Sequence, residues 1–324
     1  MPDLALRSIL AATDLSPSCD PVLHAAGVLA QATGAALHVI HALDLPLAPY
    51  VDADEPAPFP AVVQAARDAL DAQLARALPP AAQVQTARLE LYAPHRAVPA
   101  YARTVAADLV VLGPHTHAGV GAQVLGSTAD RLIRTLDAPC LIVRGNFGLP
   151  LRRVLVPLDL SRAARPALEL ALRWSHALGY RGAGPGRRTD VVVLHVVPRP
   201  AGVHDLPFER AEVEPGLNAE LEAVLGPAGA PPTLAVREEV LWGGRPADEI
   251  VEFAEREWMD LVVIATHGHG ALARALIGST ASSVARRAYC PVLLVPPRLW
   301  HDPPDDDARE GVREDDARPL VAWA

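Results

Sequence analysis

The chain of 324 residues contains no lysine; all 29 of its basic side chains are arginine. That excludes a P-loop, whose lysine contacts the phosphates, and Schiff-base catalysis, which needs a side-chain amine. Cysteine is scarce too. Cys19, Cys140 and Cys290 are widely spaced, match neither a disulfide framework nor a CxxC metal site, and read as packed or free thiols. Aromatic residues are 4% of the chain against a hydrophobic fraction of 50%, so the core has to be built from Ala, Val and Leu. No basic N-terminal region leads into a long apolar stretch, and no run approaches the roughly 18 apolar residues of a membrane span. The expectation is a soluble, cytoplasmic protein without a membrane partner. A net charge of −9 argues against a nucleic-acid partner, because phosphate-backbone affinity depends on clustered basic side chains.

What the chain does contain is a repeat at domain scale. "SILAATDLS" (Ser8 to Ser16) returns as "RVLVPLDLS" (Arg153 to Ser161), and "ALHVIHALD" (Ala36 to Asp44) is echoed by "VVVLHVVPR" (Val191 to Arg199). "ADLVVLGPHTHAGVGAQVLGSTADRLIRTLDAPCLIV" (Ala107 to Val143) is matched by "MDLVVIATHGHGALARALIGSTASSVARRAYCPVLLV" (Met259 to Val295). Three blocks in the same order define two homologous halves, residues 1–146 and 152–297, with "FGLPL" (147–151) as the linker. Within each half short Val/Ile/Leu runs alternate with Ala-rich helical stretches, the pattern of a parallel sheet covered on both faces. Ser16 is the expected N-cap of the first helix, with Pro17 in its first turn. The remaining residues, 298–324, are acidic and proline-containing until a final "LVAWA". A solvated tail is the plain reading; the alternative is a docking or autoinhibitory segment anchored through Trp323.

Doubly wound sheets bind ligands beyond the carboxyl ends of their strands, where strand order reverses. The first and fourth strands of each half end in polar or glycine residues, Asp14 and Gly113 in one, Asp159 and Thr266 in the other. Each fourth strand then enters a loop closing on Gly-Ser-Thr at the start of a helix. A helix N-terminus carries unsatisfied N–H groups and about half a positive charge. Gly126 with Ser127, and Gly278 with Ser279 and Thr280, therefore read as phosphate cradles built mainly from main-chain amides. The plainer reading, a simple helix cap, weakens because two equivalent copies each face a strand-end aspartate. "HTH" (His115, His117) and "HGH" (His267, His269) offer only part of a zinc shell, so no metal site is expected. His41 and His195 lie inside strands and read as buried, hydrogen-bonded residues.

These blocks resemble the universal stress protein family in its tandem two-domain form. The resemblance implies two doubly wound, parallel five-stranded sheets, Rossmann-like and adenine nucleotide alpha hydrolase-like, arranged as an internal pseudo-dimer through their fifth strands, "CLIV" and "PVLLV". The family's nucleotide-binding members carry Gly, two residues, Gly, nine residues, then Gly and Ser or Thr. The second half keeps Gly268, Gly278 and Ser279 but has Ala265 at the first glycine; the first keeps Gly113, Gly126 and Ser127 but has Thr116 at the second. By the same resemblance Asp14 and Asp159 contact the adenosine moiety, and Ala42 and Val196 line the adenine pocket; read from the residues alone, the two aspartates could as well organise the turn before a helix. Ala265 adds one methyl group, which a site absorbs where φ is negative, whereas β-branched Thr116 resists positive φ. The second half is thus expected to bind more tightly.

Three readings follow. The first is a stress-response regulatory module that binds adenine nucleotide, ATP with or without Mg2+, and presents a changed surface to a protein partner the sequence does not identify. The second is a structural adaptor with degraded motifs. The third is a slow ATPase or autophosphorylating protein using Ser127 or Ser279; no Walker lysine, GxSxG elbow or paired carboxylates support a dedicated enzyme. Apolar fifth strands also leave a homodimer of chains open.

Overall fold

The computed structural model describes residues 6–44, 59–114, 127–180, 187–198, 210–227, 229–266 and 277–296. Its first half runs β1 (Ser8–Thr13), α1 (Asp20–Thr33), β2 (Ala36–Ala42), α2 (Phe59–Ala77), β3 (Val84–Glu90), α3 (Pro94–Thr104), β4 (Leu109–Leu112), α4 (Ser127–Thr135) and β5 (Cys140–Ile142). The second half repeats it as β6 (Arg153–Pro157), α5 (Arg165–Leu178), β7 (Thr189–Pro198), α6 (Arg210–Leu225), β8 (Leu234–Gly243), α7 (Pro246–Arg256), β9 (Leu261–Ala265), α8 (Ser279–Arg287) and β10 (Val292–Val295). The histidine pairs of both loops, Thr116, Gly126, Gly268 and the whole acidic tail lie outside the described residues.

All strands belong to one ten-stranded sheet in the order β3-β2-β1-β4-β5-β10-β9-β6-β7-β8. Within each half every pairing is parallel, and order reverses between the first strand and the fourth. β5 and β10 pair antiparallel, Leu293 opposite Leu141 and Leu294 opposite Cys140. These apolar strands are fully buried, so each half uses the other to cover an edge that would otherwise expose unpaired backbone. The two five-stranded sheets form a pseudo-dimer by becoming one sheet. One apolar layer under α1, α2, α5 and α6, and another under α3, α4, α7 and α8, run through both halves. Across the seam Arg286 of α8 lies 3.8 Å from Asp130 of α4.

The strand-to-helix turn departs from the expected cap. Pro17–Cys19 form a single 3-10 turn, α1 begins at Asp20, and Ser16 makes no side-chain cap bond. Its hydroxyl instead donates to Asp14 Oδ1 at 2.5 Å, and its N–H to the same oxygen at 2.9 Å. A short polar side chain offered an aspartate two residues back closes a local turn rather than capping the helix. The second half does the same at Ser161 and Asp159, 2.6 Å from the hydroxyl and 3.0 Å from the N–H. The leucine between them sits in the left-handed region in both copies, Leu15 at φ 67° and Leu160 at φ 61°. An L-residue there costs about 1–2 kcal/mol, an expense the two-pronged aspartate contact offsets.

Candidate functional site

Each half has a crevice at its strand reversal, between the carboxyl ends of its first and fourth strands. In the second half Asp159, Val196, Ala265, Gly278, Ser279 and Thr280 line one cavity of about 360 Å³. β6 delivers Asp159, β7 delivers Val196, β9 ends in Ala265, and α8 opens beneath Gly278. Ala265 stays in register with Val295 of β10 and is not among the residues of positive φ, so the regular strand accommodates its methyl group. The cavity wall also includes Pro246 and Ile250 of α7, Ile264 and half-buried His195. Helix α7 carries no glycine motif, and nothing in its residues alone singles them out. His195 Nδ1 lies 2.7 Å from the carbonyl of Leu158; in the first half buried His41 lies 2.8 Å from the carbonyl of Thr13. Both rings are tied to the turn that carries the aspartate.

Gly278 shows what its glycine is for. Its backbone, φ −55° and ψ 141°, is open to any residue. A Cβ would stand 3.4 Å from the carbonyl of Thr266, an ordinary contact. Among the described residues neither strain nor crowding demands glycine, which leaves room at the mouth of α8 as its effect. The Gly278 N–H is taken by the Thr266 carbonyl at 2.7 Å. The cradle therefore begins one residue later, at Ser279, Thr280 and Ala281, whose N–H groups lie in the first turn and have no intrahelical acceptor. No arginine lines the described part of this crevice, so its positive potential comes from the end of the helix.

The first crevice gathers Asp14, Ala42, Gly113 and Thr128, but encloses only about 60 Å³. Repeat alignment places Cys19 where the second half has Ala164, and Leu132 where it has Val284; both larger side chains line the space. Gln73 of α2, 1% exposed, locks the turn from behind. It accepts from Thr13 Oγ1 at 2.7 Å and donates to the Ser16 carbonyl and to Asp20 Oδ1, both at 2.9 Å. Asp14 Oδ2 is buried without a hydrogen-bond partner. Burial, and secondarily the charge of Asp14, push the Cys19 thiol up to about 12, so it stays protonated near neutral pH. Ser127 opens α4. Among the described residues no group of three or more His, Cys, Asp or Glu is arranged to hold a metal ion, and no helix is long and apolar enough to cross a membrane.

A duplicated α/β unit with a strand-end aspartate facing a helix N-terminus defines a class of tandem doubly wound proteins, and comparison with known proteins specifies it. The model of the universal stress protein family matches twice, at residues 5–144 and 150–296, and the chain belongs to that family. It is 32% identical over 197 residues to a universal stress protein of Mycolicibacterium smegmatis, covering 59% of this chain and 63% of that one. It is 54% identical over 52 residues to one of Methanocaldococcus jannaschii, covering 16% of this chain and 31% of that one. The matched stretch thus spans less than two thirds of either relative. The crystal structure of a universal stress protein from Archaeoglobus fulgidus superimposes with a TM-score of 0.62 at 18% identity, over 91% of this chain and 100% of that one, and shares the fold.

Proposed function

We propose that this universal stress protein is a regulatory module of the stress response that holds an adenine nucleotide, ATP with or without Mg2+, in the crevice of its second half. The observation that carries this reading is the cavity of about 360 Å³ between Asp159 and the N-terminus of α8. Ligand pockets for molecules of nucleotide size begin near 300 Å³. The described wall divides into three chemistries that suit the three parts of a nucleotide. Val196, Ile250 and Ile264 offer an apolar slot to the base. Asp159 is an acceptor for ribose hydroxyls. The amides of Ser279 to Ala281, with the hydroxyls of Ser279 and Thr280, face the phosphates without a lysine.

The first crevice supports a different role. About 60 Å³ holds one or two waters, each claiming about 30 Å³ of liquid, and the unpartnered Asp14 Oδ2 is suited to such a water. That half fits the adaptor reading, a structural partner completing the sheet. The deciding experiment is to denature freshly purified protein, identify released nucleotide by ion-exchange chromatography, and titrate the emptied protein with ATP and Mg2+. One adenine nucleotide per chain is the expected result. A titration that stays flat into the millimolar range would overturn the nucleotide reading in favour of an adaptor.

A further inference from the structure

A further cavity, of about 420 Å³, lies at the opposite end of the first half's strands, between the C-terminal ends of α3 and α4 and the flank of α5. The repeat explains why it is open. At the equivalent place in the second half stands Tyr289, 40% exposed, whose hydroxyl donates to the carbonyls of Ala254 at 3.1 Å and Met259 at 2.7 Å. The equivalent positions in the first half are Asp137 for the tyrosine and Ala102 and Ala107 for the carbonyls, and all three line the cavity. No side chain among the described residues donates to either carbonyl. An aromatic ring with one N–H or O–H donor is the shape missing from this slot.

The chain itself carries such a group at the cavity's edge. Because β10 runs antiparallel to β5 with Leu294 opposite Cys140, continuing the register sets Pro296 opposite Ala138, which lines the cavity beside Pro139. Residues 297–324, outside the described structure, therefore begin at its rim. Trp300 follows four residues after Pro296, a reach of about 13 Å when extended, and a short tether keeps its effective concentration in the millimolar range. Asp302, Asp305, Asp306 and Asp307 follow directly. The rim offers them Arg103, exposed and without a charged partner among the described residues, and Arg173, which lies 3.8 Å from Glu169. Of the rim carboxylates, Asp108 is already held by the N–H groups of Arg7 and Ser8, and Asp137 is exposed.

The geometry points to the chain's own C-terminal segment as the occupant, with the Trp300 indole taking the place that Tyr289 takes in the other half and the acidic run lying along Arg103 and Arg173. The test is limited trypsin digestion of the full chain, with mass spectrometry reading the ratio of cleavage after Arg298 to cleavage after Arg309. Docking shields the bond beside Trp300 and leaves the distal one open. Asp137→Tyr, which puts the twin's own tyrosine into the slot, and Trp300→Ala, which lies outside both domains and leaves their cores untouched, should each raise the ratio at least about tenfold. Trp323→Ala should leave it unchanged. A ratio unmoved by Trp300→Ala, or unmoved in an Asp137→Tyr protein with native circular dichroism, overturns the proposal. So does an equal rise with Trp323→Ala, which would make the far end of the tail the anchor.

Discussion

The two crevices share a turn, a strand-end aspartate, a left-handed leucine and a helix start, yet one encloses about 360 Å³ and the other about 60 Å³. The difference does not come from the glycine motif alone, which is imperfect in both. Cys19 and Leu132 both line the smaller space, where the second half has Ala164 in its wall and, at the position aligned with Leu132, Val284, which does not reach the cavity. A duplicated fold can thus keep the apparatus of a site in both copies while packing closes one of them. The helix pairs behind the crevices show the same economy with the signs reversed. Arg76 of α2 grips Asp20 at the head of α1 at 2.8 and 2.9 Å, while in the second half the head of α5 is Arg165, which grips Glu220 of α6 at 3.0 Å twice. The clamp is retained and its polarity is exchanged.

The largest expected effect is at the open crevice. Gly278→Val puts a branched side chain at the mouth of α8, and ATP affinity measured by calorimetry should fall roughly tenfold to a hundredfold, the range that 1–3 kcal/mol of overpacking gives. A fall after Gly113→Val instead would reverse the assignment of the two halves. Asp159→Asn keeps an acceptor for Ser161 but removes the charge; a charge-assisted bond is about twice as strong as a neutral one, so the dissociation constant should rise about tenfold. Asp14→Asn should leave the dissociation constant where it is.

Cys19→Ala combined with Leu132→Val would give the first half the second half's residues at these two positions. Binding stoichiometry should move from one nucleotide per chain toward two, with a weaker second site, at a stability cost of about 1 kcal/mol per buried truncation. A stoichiometry that stays at one would mean that the loop carrying Thr116, rather than the wall, closes the site.

The smallest effect belongs to the clamps. The Arg76 hydrogen bonds hold the Asp20 carboxyl below the usual carboxylate range, against a smaller opposing effect of burial. A carboxylate whose folded pKa is depressed contributes its full stability above its unfolded value, about 3.9, and loses it as the pH falls through the folded value. Arg76→Ala should therefore lower the melting temperature slightly at pH 7, with the difference from wild type shrinking below about pH 4. A difference that grows on acidification would contradict this account.

Much of the fold was legible in the residues. Asp-Leu-Ser at the end of two apolar runs marked both strand reversals, and the apolar "CLIV" and "PVLLV" marked edges in need of a partner. The fate of Ser16 was not legible, because a serine four residues before the first helix suits a cap and an aspartate turn equally well. The nearby carboxylate wins only once Leu15 has turned left-handed. Nor was the role of α7 legible: Pro246 and Ile250 carry no motif, and only the sheet order brings their helix over the crevice between β6 and β9.

The sequence by itself determined that two copies of one α/β unit are present, that lysine-based phosphate chemistry is excluded, and that each copy holds an aspartate and a helix start at its strand reversal. These are local properties of composition, period and spacing. Which copy keeps an open crevice, the antiparallel register that sets Leu294 opposite Cys140 between β10 and β5, and what surrounds Tyr289 and Asp137 at equivalent places were decided only in the tertiary structure. Cavities and strand pairings depend on side chains far apart in the chain, and a single exchange such as Cys19 for Ala164 acts only through what packs against it.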